Sequence, residues 1–116
     1  MKSLIPKITV SSIILLTFFM EVWAYKKLKV LEEPPKKHTV KIFRMKFIPD
    51  HLTVKKGDTV EWVNKDFYLH DVTDEKNQKW TSKPFGQNEV WSKVVTEDEQ
   101  YFCNLHKVMK GAITVE

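Results

Sequence analysis

The chain has 116 residues, a formal net charge of +4 and one cysteine. That length allows one compact domain, and a lone cysteine excludes an internal disulfide. The positive excess is mild, and no aromatic residues that could stack on bases are interleaved among Lys26, Lys27, Lys29, Lys36 and Lys37, which argues against nucleic-acid binding.

Met1 to Lys7 carries Lys2 and Lys7, and Ile8 to Met20 then runs without a charge until Glu21. A bilayer span needs roughly 20 apolar residues, whereas this run ends after 13. It has the layout of a secretory signal, and the small residues Val22 and Ala24 place the cut between Ala24 and Tyr25. The competing reading is an uncleaved anchor with Lys2 and Lys7 held inside. Both readings export the rest of the chain. The expected organisation is a signal peptide or anchor over 1–24, a linker over 25–37 stiffened by Pro34-Pro35, and a domain over 38–116. Cleavage leaves 92 residues and, with Lys2, Lys7 and Glu21 gone, a charge of +3.

The domain reads as strands. Val40 to Met45 alternates in twos, and Ile48-Pro49-Asp50 marks a turn. Leu52 to Lys55 and Thr59 to Asn64 form a strand pair joined by a tight turn at Lys56-Gly57-Asp58. Thr73 to Asn88 is polar and irregular, and is expected to cross between sheets. Val90 to Val95 alternates again, Glu97-Asp98-Glu99 makes an acidic turn, and Gln100 to Cys103 resumes extended. Gly111 introduces a last strand, Ala112 to Glu116. About seven to eight short strands with no repeat and no amphipathic helix predict an all-β sandwich or barrel.

The chemistry is concentrated where the last two strands meet, in Cys103-x-x-His106-x-x-Met109. Taken singly, a buried cysteine, a loop histidine and a gap-filling methionine are ordinary. Together they place thiolate, imidazole and thioether donors in one loop of an exported chain, where a free thiol is a liability. With a second imidazole this is a donor set that suits copper in both oxidation states. His70, in an aromatic-rich loop between strands, is the expected fourth ligand. His38 beside the linker and His51 beside Asp50 are expected to be solvated. Zinc fits less well, because a thioether is a poor fourth donor for it. A Cys103–His106 nucleophilic dyad lacks an orienting third group.

Three runs carry a resemblance: Phe47-Ile48-Pro49 with Leu52 to Asn64, then His70-Asp71-Val72, then Tyr101 to Gly111. Over roughly Val40 to Glu116 the chain resembles the small blue copper proteins, the cupredoxins, and is most similar to the amicyanin, pseudoazurin and plastocyanin group. The resemblance implies a Greek-key β-sandwich with one copper ion, Cu(I)/Cu(II), held by His70, Cys103, His106 and Met109. It implies a monomeric periplasmic or membrane-anchored electron carrier with protein redox partners, not an enzyme. A copper carrier using the same ligands is the alternative. The His106 ring edge is then the electron port, with apolar surface from Leu105 and Val108 and with Lys107 and Lys110 steering an acidic partner.

Two positions depart from the family pattern. Asp71 stands where an asparagine amide usually ties the ligand loops together. It lacks that donor and, if ionised, favours Cu(II). Glu97 to Gln100 replaces the glycine usual before the cysteine strand, so that turn is expected to be built differently.

Overall fold

The computed structural model describes residues 4, 6, 7, 9–30 and 33–116, with side chains for all of these except 28–30. Lys2 and Ile8 of the expected signal, and the Lys29 side chain, lie outside the described residues. The chain divides into two compact units, one ending at Pro34 and one spanning Pro35–Glu116.

The first unit contains α1, Val10–Val30. Thr9 stands at its N-cap position, its hydroxyl 3.1 Å from Ser12 Oγ, a residue type favoured there because it can occupy free backbone donors of the first turn. No glycine or proline lies between Val10 and Pro34, and the helix accordingly continues past Ala24 through the first residues of the expected linker. Among the described residues no helix is long and apolar enough to cross a membrane.

The second unit is all β: β1 Lys37–Phe43, β2 Lys46–Ile48, β3 His51–Val54, β4 Thr59–Asn64, β5 Thr73–Asp74, β6 Val90–Val94, β7 Glu99–Phe102 and β8 Lys110–Val115. They form two four-stranded sheets, ordered β2-β1-β4-β6 and β3-β8-β7-β5. β1 runs parallel to β4 and β3 parallel to β8, and the other neighbours are antiparallel. β4 alternates strictly, with Val60, Trp62 and Asn64 inward. Val60 and Trp62 share one apolar core with Tyr101 and Ile113 of the other sheet and with Cys103 just beyond β7.

One expected strand is shorter than its pattern. Val40 to Met45 alternates, yet β1 stops at Phe43, because Arg44 and Met45 take left-handed conformations, φ 52° and 62°. The reason is tertiary: the Asp66 carboxylate accepts the N–H of both, at 2.7 and 2.9 Å, and this turns the chain into β2. The tight turn at Lys56-Gly57-Asp58 is present, with Gly57 at φ +93°, where side chains are disfavoured, but the expected strand pair is not: the turn carries the chain from β3 in one sheet to β4 in the other. Gly111 serves another purpose than opening a strand. It faces Tyr101 across the β7–β8 ladder, and a Cβ there would lie 2.2 Å from the Tyr101 ring.

The crossing segment is tied down rather than loose. His70 and Phe85 form an isolated bridge, as do Thr73 and Thr81. Asp74 accepts the N–H groups of Lys76, Asn77 and Lys79. Burial works to raise its carboxyl, but those donors outweigh it and hold the group below the usual carboxylate range. The acidic turn is indeed built without glycine: Asp98 accepts the Val115 N–H at 2.8 Å, and Glu99 already begins β7. β4 and β7 belong to different sheets, and the loops that follow them, 65–72 and 103–109, converge.

Candidate metal centre

Asn64, the last residue of β4 and fully buried, pegs the first loop. Its amide nitrogen donates to the carbonyls of Tyr68 and Phe85, at 2.8 and 2.9 Å, while its oxygen accepts the Asp66 N–H. With the Phe85 bridge, these bonds fix His70, which is also fully buried. Its Nε2–H donates to Asp66 Oδ2 at 2.9 Å, leaving Nδ1 as a bare acceptor. Burial works to raise the Asp66 carboxyl, but the N–H groups of Met45 and Arg44, then His70, outweigh it and hold the group below its ordinary value. A carboxylate on the outer nitrogen fixes the tautomer and orientation of a metal-binding imidazole.

The second loop is closed by its own backbone. Cys103 N–H donates to the Met109 carbonyl at 3.1 Å, and Met109 N–H to the His106 carbonyl at 2.9 Å. Cys103 and Met109 are buried, at 0% and 2% exposure, whereas His106 is half-buried.

Three donor atoms converge. Cys103 Sγ lies 3.8 Å from His70 Nδ1 and 3.9 Å from His106 Nδ1, and the two nitrogens are 3.1 Å apart. A point in their plane lies about 2.1 Å from all three, the bond length of a first-row ion to imidazole. The donors therefore fit a single ion with no movement, and soft sulfur with two imidazoles suits copper. Of the candidates, the structure brings together His70, Cys103 and His106 and buries Met109 in the same loop. His38 pairs instead with Asp58 at 2.8 Å, and His51 with the Thr114 hydroxyl at 2.9 Å.

The model of the copper-binding proteins of the plastocyanin/azurin family matches residues 35–116. The chain belongs to that family. It is 28% identical to amicyanin from Paracoccus versutus over 114 residues, covering 81% of this chain and 82% of that protein. Among solved structures it resembles a Cu(I) methionine-to-alanine mutant of amicyanin, at 30% identity and TM-score 0.61 over 67% of this chain and 80% of that one. It also resembles a reduced tryptophan-to-tyrosine mutant of amicyanin, at 27% identity and TM-score 0.65 over 73% and 87%. A Cu-containing nitrite reductase from Thermus scotoductus SA-01 matches at 29% identity and TM-score 0.62, over 74% of this chain but 23% of that one. The fold is thus a cupredoxin sandwich, and its cofactor is copper.

In this cupredoxin Asp71 ties the ligand loops together after all, as an acceptor. Its Oδ1 takes the N–H of Asn104 and the hydroxyl of Thr73, each at 2.9 Å, and its own N–H points at Cys103 Sγ at 3.4 Å. The amide donor is dispensable because Asn104 and Thr73 bring the protons. Asn104 Nδ2 adds a bond to Thr73 Oγ1 at 3.0 Å.

The rim is more apolar than Leu105 and Val108 alone imply. Phe67, Tyr68 and Leu69, exposed at 88%, 64% and 54%, come from the other ligand loop, and Tyr68 meets the His106 ring edge to face at 6.5 Å. Lys110 is engaged with Glu75, while Lys107 forms no ion pair among the described residues. Asn64, Asp66, Asn104 and Thr73 were not foreseen as parts of the site. Asp66 alone left a hint, as a carboxylate four residues before His70.

Proposed function

We propose that this copper protein is an exported electron carrier, accepting and donating single electrons through the half-buried His106 edge. The observation that carries the reading is the converged donor triangle of buried His70 and Cys103 with half-buried His106, in which His70 is held by Asp66 and the Cys103 sulfur by the Asp71 N–H. Bound copper supplies the one-electron couple. The chain supplies rigidity: Asp66 orients His70, the Asp71 N–H and the closed 103–109 loop hold Cys103, and β-strands anchor both loops. Ligands that need not move between oxidation states keep the barrier to electron transfer low.

Met109, buried in the same loop at the position that matches the family motif, would add a weaker thioether donor to bound copper. The apolar rim of Phe67, Tyr68, Leu69, Leu105 and Val108 supports brief contact with a protein partner, and Lys107 supports steering of an acidic one. Copper delivery needs donors that a recipient can reach, and the full burial of His70 and Cys103 favours electron transfer over it. The uncharged run before Glu21 supports export, which N-terminal sequencing of the processed protein checks. Repeated reduction and oxidation of the loaded protein beside a strong Cu(I) chelator tests the main reading. Retention of copper through the cycles is expected, and its loss in the reduced state contradicts it.

A further inference from the structure

A second feature leads away from the His106 edge. Tyr101 sits two residues before Cys103 on β7 and, like it, is fully buried. Its ring meets Trp62 edge to face at a centroid distance of 5.3 Å. Trp62 pairs across the ladder with Trp91 at 5.4 Å, and Trp91 stacks on Trp80 at 5.9 Å. Trp62 is fully buried, whereas Trp91 and Trp80 are half-buried. Trp91 lies on β6, the edge strand of one sheet, and Trp80 follows β5, the edge strand of the other. An unbroken file of aromatic rings, three of them oxidisable indoles, therefore runs from the strand that precedes Cys103 through the core to the surface.

Aromatic clusters commonly serve packing alone, but the outer end of this file is equipped for redox chemistry. Trp80 Nε1–H donates to Glu99 Oε2 at 3.1 Å, and Glu99 also accepts from Lys93 Nζ at 2.7 Å. Lys93 Nζ lies 5.1 Å from the Trp80 ring centroid. An oxidised indole becomes a far stronger N–H acid, and Glu99 is placed to take that proton. Cu(I) is a far stronger reductant than any indole, so an electron vacancy created at Trp80 is drained inward.

We propose that the Trp80–Trp91 face is a second electron port, connected to the copper site through Trp62 and Tyr101, through which strong one-electron oxidants are quenched by Cu(I). The inference rests on the copper reading. The oxidant takes one electron from Trp80, whose Nε1 proton passes to Glu99. An electron from Cu(I) then refills the file, Cu(II) is left, and the proton returns to Trp80. Electron tunnelling falls off exponentially with distance, so rings in contact carry charge across a span that a single step would cross slowly.

The test uses the full chain loaded with copper and reduced, carrying Trp23→Phe, because Trp23 in α1 is 67% exposed and would also be oxidised. Pulse-generated azide radical oxidises indole while itself becoming azide. The expected result is decay of the indole-radical absorption in step with growth of the thiolate–copper band, at a first-order rate independent of protein concentration. Trp91→Phe keeps a ring in place but is far harder to oxidise. It should slow that step about tenfold or more while leaving the copper band and potential unchanged, and Trp80→Phe should reduce the share of radicals that reach copper. A decay rate proportional to protein concentration, or a Trp91→Phe rate equal to the parent's, overturns the proposal. A chain that shows no thiolate–copper band before the pulse contradicts the copper reading itself.

Discussion

Asp66 accepts bonds from Arg44, Met45 and His70, so one carboxylate shapes the β1–β2 turn and aims a copper ligand. Asp66→Ala strands two backbone donors and the outer nitrogen of His70. We expect a loss of about 3 kcal/mol in denaturant unfolding of the metal-free protein, together with weaker copper binding. A loss below about 0.5 kcal/mol, typical of surface changes, contradicts this role. Asp71 is buried beside Cys103, which makes its charge count. Asp71→Asn keeps an oxygen acceptor for Asn104 and Thr73 but removes a negative charge that favours Cu(II). The reduction potential is expected to rise by about 60 mV, equivalent to about 1.4 kcal/mol. No change in potentiometry contradicts it.

The strands show what a single sequence makes legible. β4 and the Gly57 turn follow from two-residue alternation and a glycine signal, which are local. The end of β1 and the short strands β2 and β5 do not, since they depend on Asp66 and on Thr73–Phe102 pairing, contacts across long stretches of chain. Gly111 was visible as a residue but not as a space for Tyr101. Gly111→Ala forces that ring against Phe47 and Trp62, its neighbours at 4.8 and 5.3 Å. A cost of about 1–3 kcal/mol is expected, measured by thermal or chemical unfolding, and unchanged stability contradicts the packing account.

The start of β1 is clasped to the β3–β4 turn by Asp58. It accepts the N–H of Lys36, the imidazole of His38 and the N–H of Lys55. The Lys36 donor first, then His38, lower its carboxyl from 3.8 to about 2. Because the folded value is depressed, this contribution to stability is complete above the unfolded value and is lost as pH falls toward the folded one. Unfolding midpoints are therefore expected to drop between about pH 5 and about pH 2, and less so in Asp58→Asn. Equal drops in both proteins contradict the clasp.

At the scale of the whole molecule, the proposed ligand set is legible in the sequence because all four proposed donors belong to rare types and three share one loop. The choice of His70 over His38 and His51 rested on position between strands, and the structure gives the physical counterpart: the two rivals are occupied by Asp58 and Thr114. The apolar rim was only half visible, since Phe67, Tyr68 and Leu69 reach the copper loop through the fold and not through proximity in sequence. The compact unit from Pro35 onward contains every proposed ligand, so residues 35–116 alone are expected to bind copper with the spectrum of the full chain.

The most direct test of the copper centre is an optical titration of the full chain with Cu(II). One equivalent is expected to produce an intense visible thiolate–copper band that bleaches on reduction, returns on oxidation and is absent in Cys103→Ser. Absence of the band, or its persistence in Cys103→Ser, contradicts the account.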